Sequence, residues 1–364
     1  MVKTHKDLYS QIHTWEMLEK AYRKARKGKR GSQPVADFEY AWERHLLQLQ
    51  GELADKTYRP GSYHSFYIHE PKKRLISAAP FRDRVVHHAL CQVIEPIFEA
   101  RFIHDSYANR VGKGTHRALD RCTYFARRYQ YVLPCDIKQH FPAIDHAIMD
   151  RILAKPIACA DTLWLIDQIL ASGIGVLAEE YQMVYFPGDD LLAVNRPRGL
   201  PIGNLTSQFW SNCYLNPMDH FIKRELKCPA YLRFVDDCLL FANDKDSLQR
   251  WKAAIIDYLV TLRLVIHEER AQPRPVTEGI PFLGFVVYPD HRRVKRRKVV
   301  AYRRRLKRLW HAYQTEQIGQ SEIVASLRGW LAHISYGNTW ALAEQILRPV
   351  CFQEVSGEPV ADFC

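Results

Sequence analysis

Tyr231-Leu232-Arg233-Phe234-Val235-Asp236-Asp237-Cys238-Leu239-Leu240-Phe241-Ala242 is an apolar, strand-like run interrupted at its middle by two adjacent carboxylates. Aromatic and β-branched residues precede the acids and mostly apolar ones follow, which predicts a hairpin with Asp236 and Asp237 at its tip. Burying both flanks would fix the carboxylates in space. Their hard oxygens suit Mg²⁺, which keeps most of its waters and binds one or two carboxylates plus substrate phosphates. Asp is also a common turn former, so the pair gains meaning only from what else the chain carries.

A second candidate ligand stands one hundred positions earlier, in Tyr131-Val132-Leu133-Pro134-Cys135-Asp136-Ile137-Lys138-Gln139-His140-Phe141-Pro142, where Asp136 also ends an apolar strand. Carboxylates from neighbouring strands can bridge two ions about 3.5–4 Å apart, which stabilise the attacking and leaving oxygens of a phosphoryl transfer. The backbone carbonyl of Ile137 would supply a further ligand. The plainer alternative is that Asp136 caps a helix beginning near Ile144 or simply ends a strand.

The 364 residues are enough to bury a substantial core in two or three subdomains. Lys and Arg number 52 against 40 acids, a net charge of +12 that favours a polyanionic partner, nucleic acid first. Met1-Val2-Lys3-Thr4-His5-Lys6 lacks the apolar core of a signal peptide, and no run approaches a membrane span, so a cytoplasmic protein with no membrane partner is expected. The nine cysteines include no Cys-x-x-Cys pair, which argues for reduced thiols packed as small hydrophobes rather than a zinc ribbon or a disulfide framework.

Four regions follow from the patterning. Residues 1–56 form an N-terminal helical segment, with Leu8, Ile12, Trp15, Leu18 and Tyr22 on one face and a basic cluster at Arg23, Lys24, Arg26, Lys27, Lys29 and Arg30. Residues 57–290 mix short strands with helices, including one across Arg84 to Phe98, an α+β signature. Within them 176–198 are irregular, and Glu179, Glu180, Asp189 and Asp190 are expected only to solvate a loop. Residues 291–345 form a basic helical module, since eleven of the seventeen residues from Arg292 to Arg308 are Lys or Arg. Its exposed cations, Arg303, Arg304 and Lys307 among them, could lie along a nucleic-acid backbone without reading its sequence. Residues 346–364 form a tail.

Asp136, Gly199-Leu200-Pro201-Ile202-Gly203-Asn204-Leu205-Thr206-Ser207-Gln208, Phe234-Val235-Asp236-Asp237 and Phe282-Leu283-Gly284-Phe285, in that order, resemble the ordered motifs of a reverse transcriptase over roughly residues 60–345. The resemblance implies a right-hand polymerase fold with fingers, a palm built on an antiparallel sheet and a helical thumb. It implies catalytic, metal-binding Asp136, Asp236 and Asp237, with Ile137 as a carbonyl ligand, and two Mg²⁺ ions. Lys72, Lys73 and Arg74 resemble the basic fingers segment that holds the triphosphate of a dNTP, where cations offset the charge of phosphoryl transfer. Phe141 stands at the bulky position that excludes a sugar 2′-OH. Arg82 and Arg84 look like template or nucleotide contacts. Phe282, Leu283 and Gly284 resemble the primer grip. Arg270 stands where many relatives carry a Lys thought to protonate pyrophosphate, and its high pKa makes electrostatic stabilisation the role expected of it.

Ile202 departs from the Gln found there in most reverse transcriptases. Ile202, Gly203, Ser207 and Gln208 resemble the diversity-generating retroelement branch, as do Glu70-Pro71-Lys72, Ile76-Ser77-Ala78 and Gly112-Lys113-Gly114-Thr115-His116. Ile offers dispersion but no donor to the nascent pair, so discrimination should fall. The implied function is copying a structured template-repeat RNA into cDNA, an RNA–cDNA hybrid, with errors opposite template adenines and a small basic oligomeric accessory protein as partner. A reverse transcriptase of a phage-defence or group II intron-like system shares this chemistry. A catalytically silent RNA-binding protein and a metal-dependent nuclease are the readings from other classes.

Overall fold

The computed structural model describes residues 3–29, 31–69 and 72–351. Arg30 of the basic cluster, Glu70 and Pro71 of the family-like stretch, and the tail from 352 lie outside the described residues. The chain divides into two compact units, the first made of Met1–Gly114, Pro134–Leu240 and Gln249–Gln272, the second of Thr115–Leu133, Phe241–Leu248 and Pro273–Cys364. The unit holding the basic helices therefore also takes in segments from the middle of the chain.

The first unit opens with helices. Thr14 caps Trp15–Ala25 by accepting from the Met17 amide at 3.2 Å, and Glu16 in the first turn suits the positive helix end. Its apolar stripe of Leu18, Ala21, Tyr22 and Ala25 is buried and packs on the helix Phe81–Glu99, which starts three residues before the sequence pattern suggests. Strands β1 (His64–Ile68) and β2 (Arg74–Ala78) form an antiparallel ribbon in which Ile68 pairs with Arg74. Every residue of β1 is exposed.

Strand β3 (Tyr131–Asp136) crosses from the second unit into the first, and β4 (Ala230–Phe234) and β5 (Asp237–Ala242) neighbour one another, with β5 beside β3. β4 is buried from Ala230 to Arg233, and β5 from Cys238 onward, because both flanks of the acid pair are apolar as the sequence requires. The helix Leu205–His220 carries Pro217 near its end and passes into a π-turn at Phe221–Glu225, the kind of distortion that a missing amide produces.

In the second unit, β6 (Arg274–Pro275) pairs with Tyr131 and Val132, and β7 (Ile280–Phe282), β8 (Phe285–Val287) and β9 (Arg292–Val294) form a three-stranded antiparallel sheet. The helices Arg296–Gln314, Gln320–Ile334 and Trp340–Cys351 follow, so helical structure runs past position 345. They share a core of Tyr302, Trp330, Ile334 and Ile346, with the Tyr302 and Trp330 rings stacked at 4.3 Å. Among the described residues no helix is long and apolar enough to cross a membrane.

Candidate active site

Val235 lies at φ +57°, a conformation that β-branched residues rarely adopt, and it turns the chain from β4 into β5. Asp236 is thereby placed in the turn, half-buried, and Asp237 at the exposed first position of β5. The amide of Ile137 donates to the Asp236 carbonyl at 3.4 Å, which sets the end of β3 against this turn. On the other edge of the same segment, His267 donates to the Asp136 carbonyl at 2.9 Å and Lys138 donates to the Val265 carbonyl at 2.8 Å. Strand alternation then directs the Ile137 carbonyl to the side of Asp236.

Asp136 does not cap a helix. The short helix His140–Ala143 has Gln139 at its cap position, and the helix that begins nearest Ile144, His146–Ala154, is capped by Asp145, which accepts from the Ile148 amide at 3.0 Å. Asp136 instead acts on Asp236 through its charge. Burial raises the Asp236 carboxyl above the usual carboxylate range and the Asp136 charge adds to this, while its own backbone amide, Arg74 and Arg233 pull it down. Asp136, Asp236 and Arg74, singled out separately in the sequence, therefore share one electrostatic environment.

The segment after Asp136 is joined to the glycine-rich stretch by a short ladder. Gly199 donates to the Ile144 carbonyl at 2.8 Å and Leu200 to the Phe141 carbonyl at 2.9 Å. Phe141 is half-buried on the short turn of helix His140–Ala143, next to His140, whose Nε2 lies 2.7 Å from the Ser211 hydroxyl. Burial pushes the His140 imidazole down to about 3, so the ring is neutral at physiological pH.

The same stretch is pinned to β2. Ser77 donates its amide to the Ile202 carbonyl at 2.8 Å. Asn204, at the cap position of helix Leu205–His220, leaves the helix end uncapped by its side chain and instead bonds β2, accepting from the Ala79 amide at 3.1 Å and donating to the Ser77 carbonyl at 2.9 Å. Gly203 sits at φ +117°, and a Cβ there would lie 2.9 Å from Cγ2 of Ile76. Gly203→Ala is accordingly expected to lower stability by roughly 1–3 kcal/mol. A reduced urea midpoint at unchanged slope is the measurement that checks it. Gln208 is exposed in the first turn of this helix.

Lys72, Lys73 and Arg74 are exposed at the start of β2, with the Lys73 ammonium 4.1 Å from the Tyr67 ring centre. Arg82 is engaged by Glu52 and Asp83 and lies over the Tyr58 ring. Arg84 donates through Nε to the Ala79 carbonyl at 2.8 Å. Arg270 is exposed in the turn after His267. In the second unit Leu283 (φ +45°) and Gly284 (φ +93°) make the two-residue turn between β7 and β8, with Phe282 buried. Arg303, Arg304 and Lys307 are exposed on the helix Arg296–Gln314, and Arg303 donates to the Gln345 side chain at 2.8 Å.

The insertion does more than solvate a loop, which corrects the expectation for Glu180, Asp189 and Asp190. Glu180 accepts from the Tyr67 hydroxyl at 2.9 Å, and its carbonyl accepts from the Gln139 side chain at 3.1 Å. Asp189 pairs with Arg263 and accepts from the Phe186 amide, and Asp190 accepts from the Leu192 amide. Two partners of the acid turn also escaped the sequence pattern. Arg233 and Asp219 form a fully buried ion pair, and the only sequence signal for it is a charge inside an apolar strand. Among the described residues no three His, Cys, Asp or Glu side chains converge into a ready-made metal cage.

Residues 68–287 match the family model described as reverse transcriptase (RNA-dependent DNA polymerase). The chain is similar to nuclear intron maturase 2, mitochondrial, of Arabidopsis thaliana, with 31% identity over 134 residues, 32% of this chain and 18% of that protein. It is similar to protein YkfC of Escherichia coli K12, with 24% identity over 49% of this chain and 45% of that one. The group II intron-encoded protein LtrA of Lactococcus lactis matches at 25% identity over 50% of this chain and 28% of LtrA. The chain thus spans less than half the length of each of these relatives. A solved structure of apo telomerase from Candida tropicalis aligns at TM-score 0.44 and 12% identity, covering 68% of this chain and 52% of that one.

Proposed function

Because the chain belongs to the reverse transcriptase family, with the right-hand polymerase fold that membership brings, we propose that it is an RNA-directed DNA polymerase that extends a primer with dNTPs on an RNA template. The observation that carries this reading is the bond from the Ile137 amide to the Asp236 carbonyl, which sets the strand end bearing Asp136 against the Asp236–Asp237 turn. Asp136, Asp236 and Asp237 would hold the metal, with the Ile137 carbonyl as a further ligand. These donors are all hard oxygens, which suit Mg²⁺, an ion that fills the rest of its shell with waters and substrate phosphates. Two such ions, when bound, would stabilise the attacking and leaving oxygens.

The chain's own residues do the remaining work. Lys72, Lys73 and Arg74 neutralise the triphosphate, and Arg270 adds positive charge for the pyrophosphate. Phe141, held by the Leu200 amide, crowds the sugar 2′ position. Ile202, Gly203 and Gln208 border the nascent pair. Arg82 and Arg84 contact the template, Phe282, Leu283 and Gly284 the primer, and Arg303, Arg304 and Lys307 the duplex backbone.

The finer reading is a diversity-generating retroelement enzyme, a cytoplasmic polymerase that copies a structured template-repeat RNA with errors opposite adenine and works with a small basic oligomeric accessory protein. Ile202 supports it, because its carbonyl is fixed on Ser77 while its side chain offers the base pair no hydrogen bond. Ile202→Gln is expected to lower misincorporation opposite template adenine by roughly 10-fold, about 1.4 kcal/mol of discrimination. Sequencing of cDNA by template base reads this, and an unchanged adenine error rate removes Ile202 from the cause. A group II intron-like enzyme is the second reading, favoured by the LtrA and maturase similarities. Accurate copying would support it.

A further inference from the structure

Arg233 sits three residues before the first of the paired acids, and its side chain is fully buried. Nε and Nη2 donate to the two Asp219 oxygens at 2.8 and 2.6 Å, and Nη1 donates to the Asn212 side chain at 3.2 Å. Nη1 also donates to the Val235 carbonyl at 2.8 Å. Asp219 accepts in addition from the Tyr231 hydroxyl at 2.6 Å, and Asn212 donates to the Ala108 carbonyl at 2.8 Å. The backbone is held as tightly, since Arg233 donates to the Asp105 carbonyl and Tyr107 donates to that of Arg233.

An ion pair that served only the core would end at Asp219. This guanidinium reaches past it to the carbonyl of Val235, the residue held at φ +57° immediately before Asp236. A β-branched residue left to itself relaxes toward the extended region, swinging its carbonyl and the following Cα–Cβ bond with it. Charge-assisted hydrogen bonds in a dry interior are strong, and the planar fork of Arg can serve several acceptors at fixed angles.

We propose that Arg233 is a positioning residue of the polymerase site: its guanidinium, anchored by Asp219 and Asn212, clamps the Val235 carbonyl and so aims the Asp236 and Asp237 carboxylates. The inference rests on the polymerase reading. The positive charge of Arg233 also opposes the upward shift of the Asp236 carboxyl, so a useful variant must keep that charge while losing the fork.

Arg233→Lys in the full chain does this, because one ammonium cannot serve both Asp219 oxygens and the Val235 carbonyl. Primer extension on an RNA template is expected to fall about 10- to 100-fold in kcat, as when a partner that orients a metal ligand is lost. KM for dNTP should stay nearly constant and half-saturating Mg²⁺ should rise. Adding Val235→Gly, which removes the strain the clamp must resist, should recover a large part of the loss in the Lys variant and none in the wild type. Wild-type kcat and Mg²⁺ dependence in Arg233→Lys would overturn the inference, as would a loss that Val235→Gly leaves untouched. Should the Lys variant not melt cooperatively, Arg233→Met with Asp219→Leu removes both charges together and is expected to fold. If that variant also fails to fold, Arg233 is structural and the inference is overturned. A wild-type chain that extends no primer would instead remove the polymerase reading itself.

Discussion

Asp236→Asn is expected to reduce primer extension by on the order of 10³-fold or more, the scale lost when a group stabilising transition-state charge is removed, and to leave the protein at least as stable at pH 7. The two effects have one origin. Burial, with the Asp136 charge adding to it, raises the Asp236 carboxyl above its ordinary range. A carboxyl raised on folding contributes stability that is present below its unfolded pKa and lost as pH rises through the folded value. At pH 7 the ionised group therefore opposes folding, and Asn, which carries no charge, relieves it. Thermal melts of wild type and variant across pH check the sign: the advantage of Asn should be largest near neutrality and shrink as the pH falls toward the raised pKa. A variant that melts lower than wild type at pH 7 would contradict it.

Asp219→Ala is expected to be among the most damaging single changes away from the carboxylates. It leaves the Arg233 guanidinium in a site with no exposure and without its charge partner. Breaking a buried pair from one side costs about 3–5 kcal/mol, because the remaining charge cannot be solvated. At roughly 2–4 °C per kcal/mol for domains of 150–250 residues, the melting temperature should fall by roughly 6–20 °C. Burial itself works against the charge on Arg233, and Asp219 is the group that outweighs it, so the loss should be much smaller when both partners are replaced by apolar residues. Equal losses in the single and double replacements would show that packing, not charge, decides this site.

The acid turn was legible in the sequence because its two flanks are apolar while its tip is not, and only a hairpin buries the first while exposing the second. The position of Asp136 beside it was legible from the second apolar strand, although that strand alone favoured a helix cap or a plain strand end, and Asp145 takes the cap position. What escaped the sequence were long-range polar partners. Asp219, on a helix, accepts from Arg233 fourteen residues later and from the Tyr231 hydroxyl twelve residues later, and no periodicity links a helix carboxylate to a strand. Asn204 stands at a helix cap position, yet its amide bonds a strand 127 positions away. The acids of the insertion looked like solvated charges because Tyr67 and Arg263, which meet Glu180 and Asp189, are brought there only by the fold.

The first measurement is dNTP incorporation by the purified full chain on a defined RNA template annealed to a DNA primer, with and without Mg²⁺, beside the Asp236→Asn/Asp237→Asn variant. An RNA-directed DNA polymerase gives template-directed, Mg²⁺-dependent extension that the variant loses while still binding the primer–template. Extension that survives in the variant, or none from the wild type even with cognate RNA and accessory protein supplied, would contradict it.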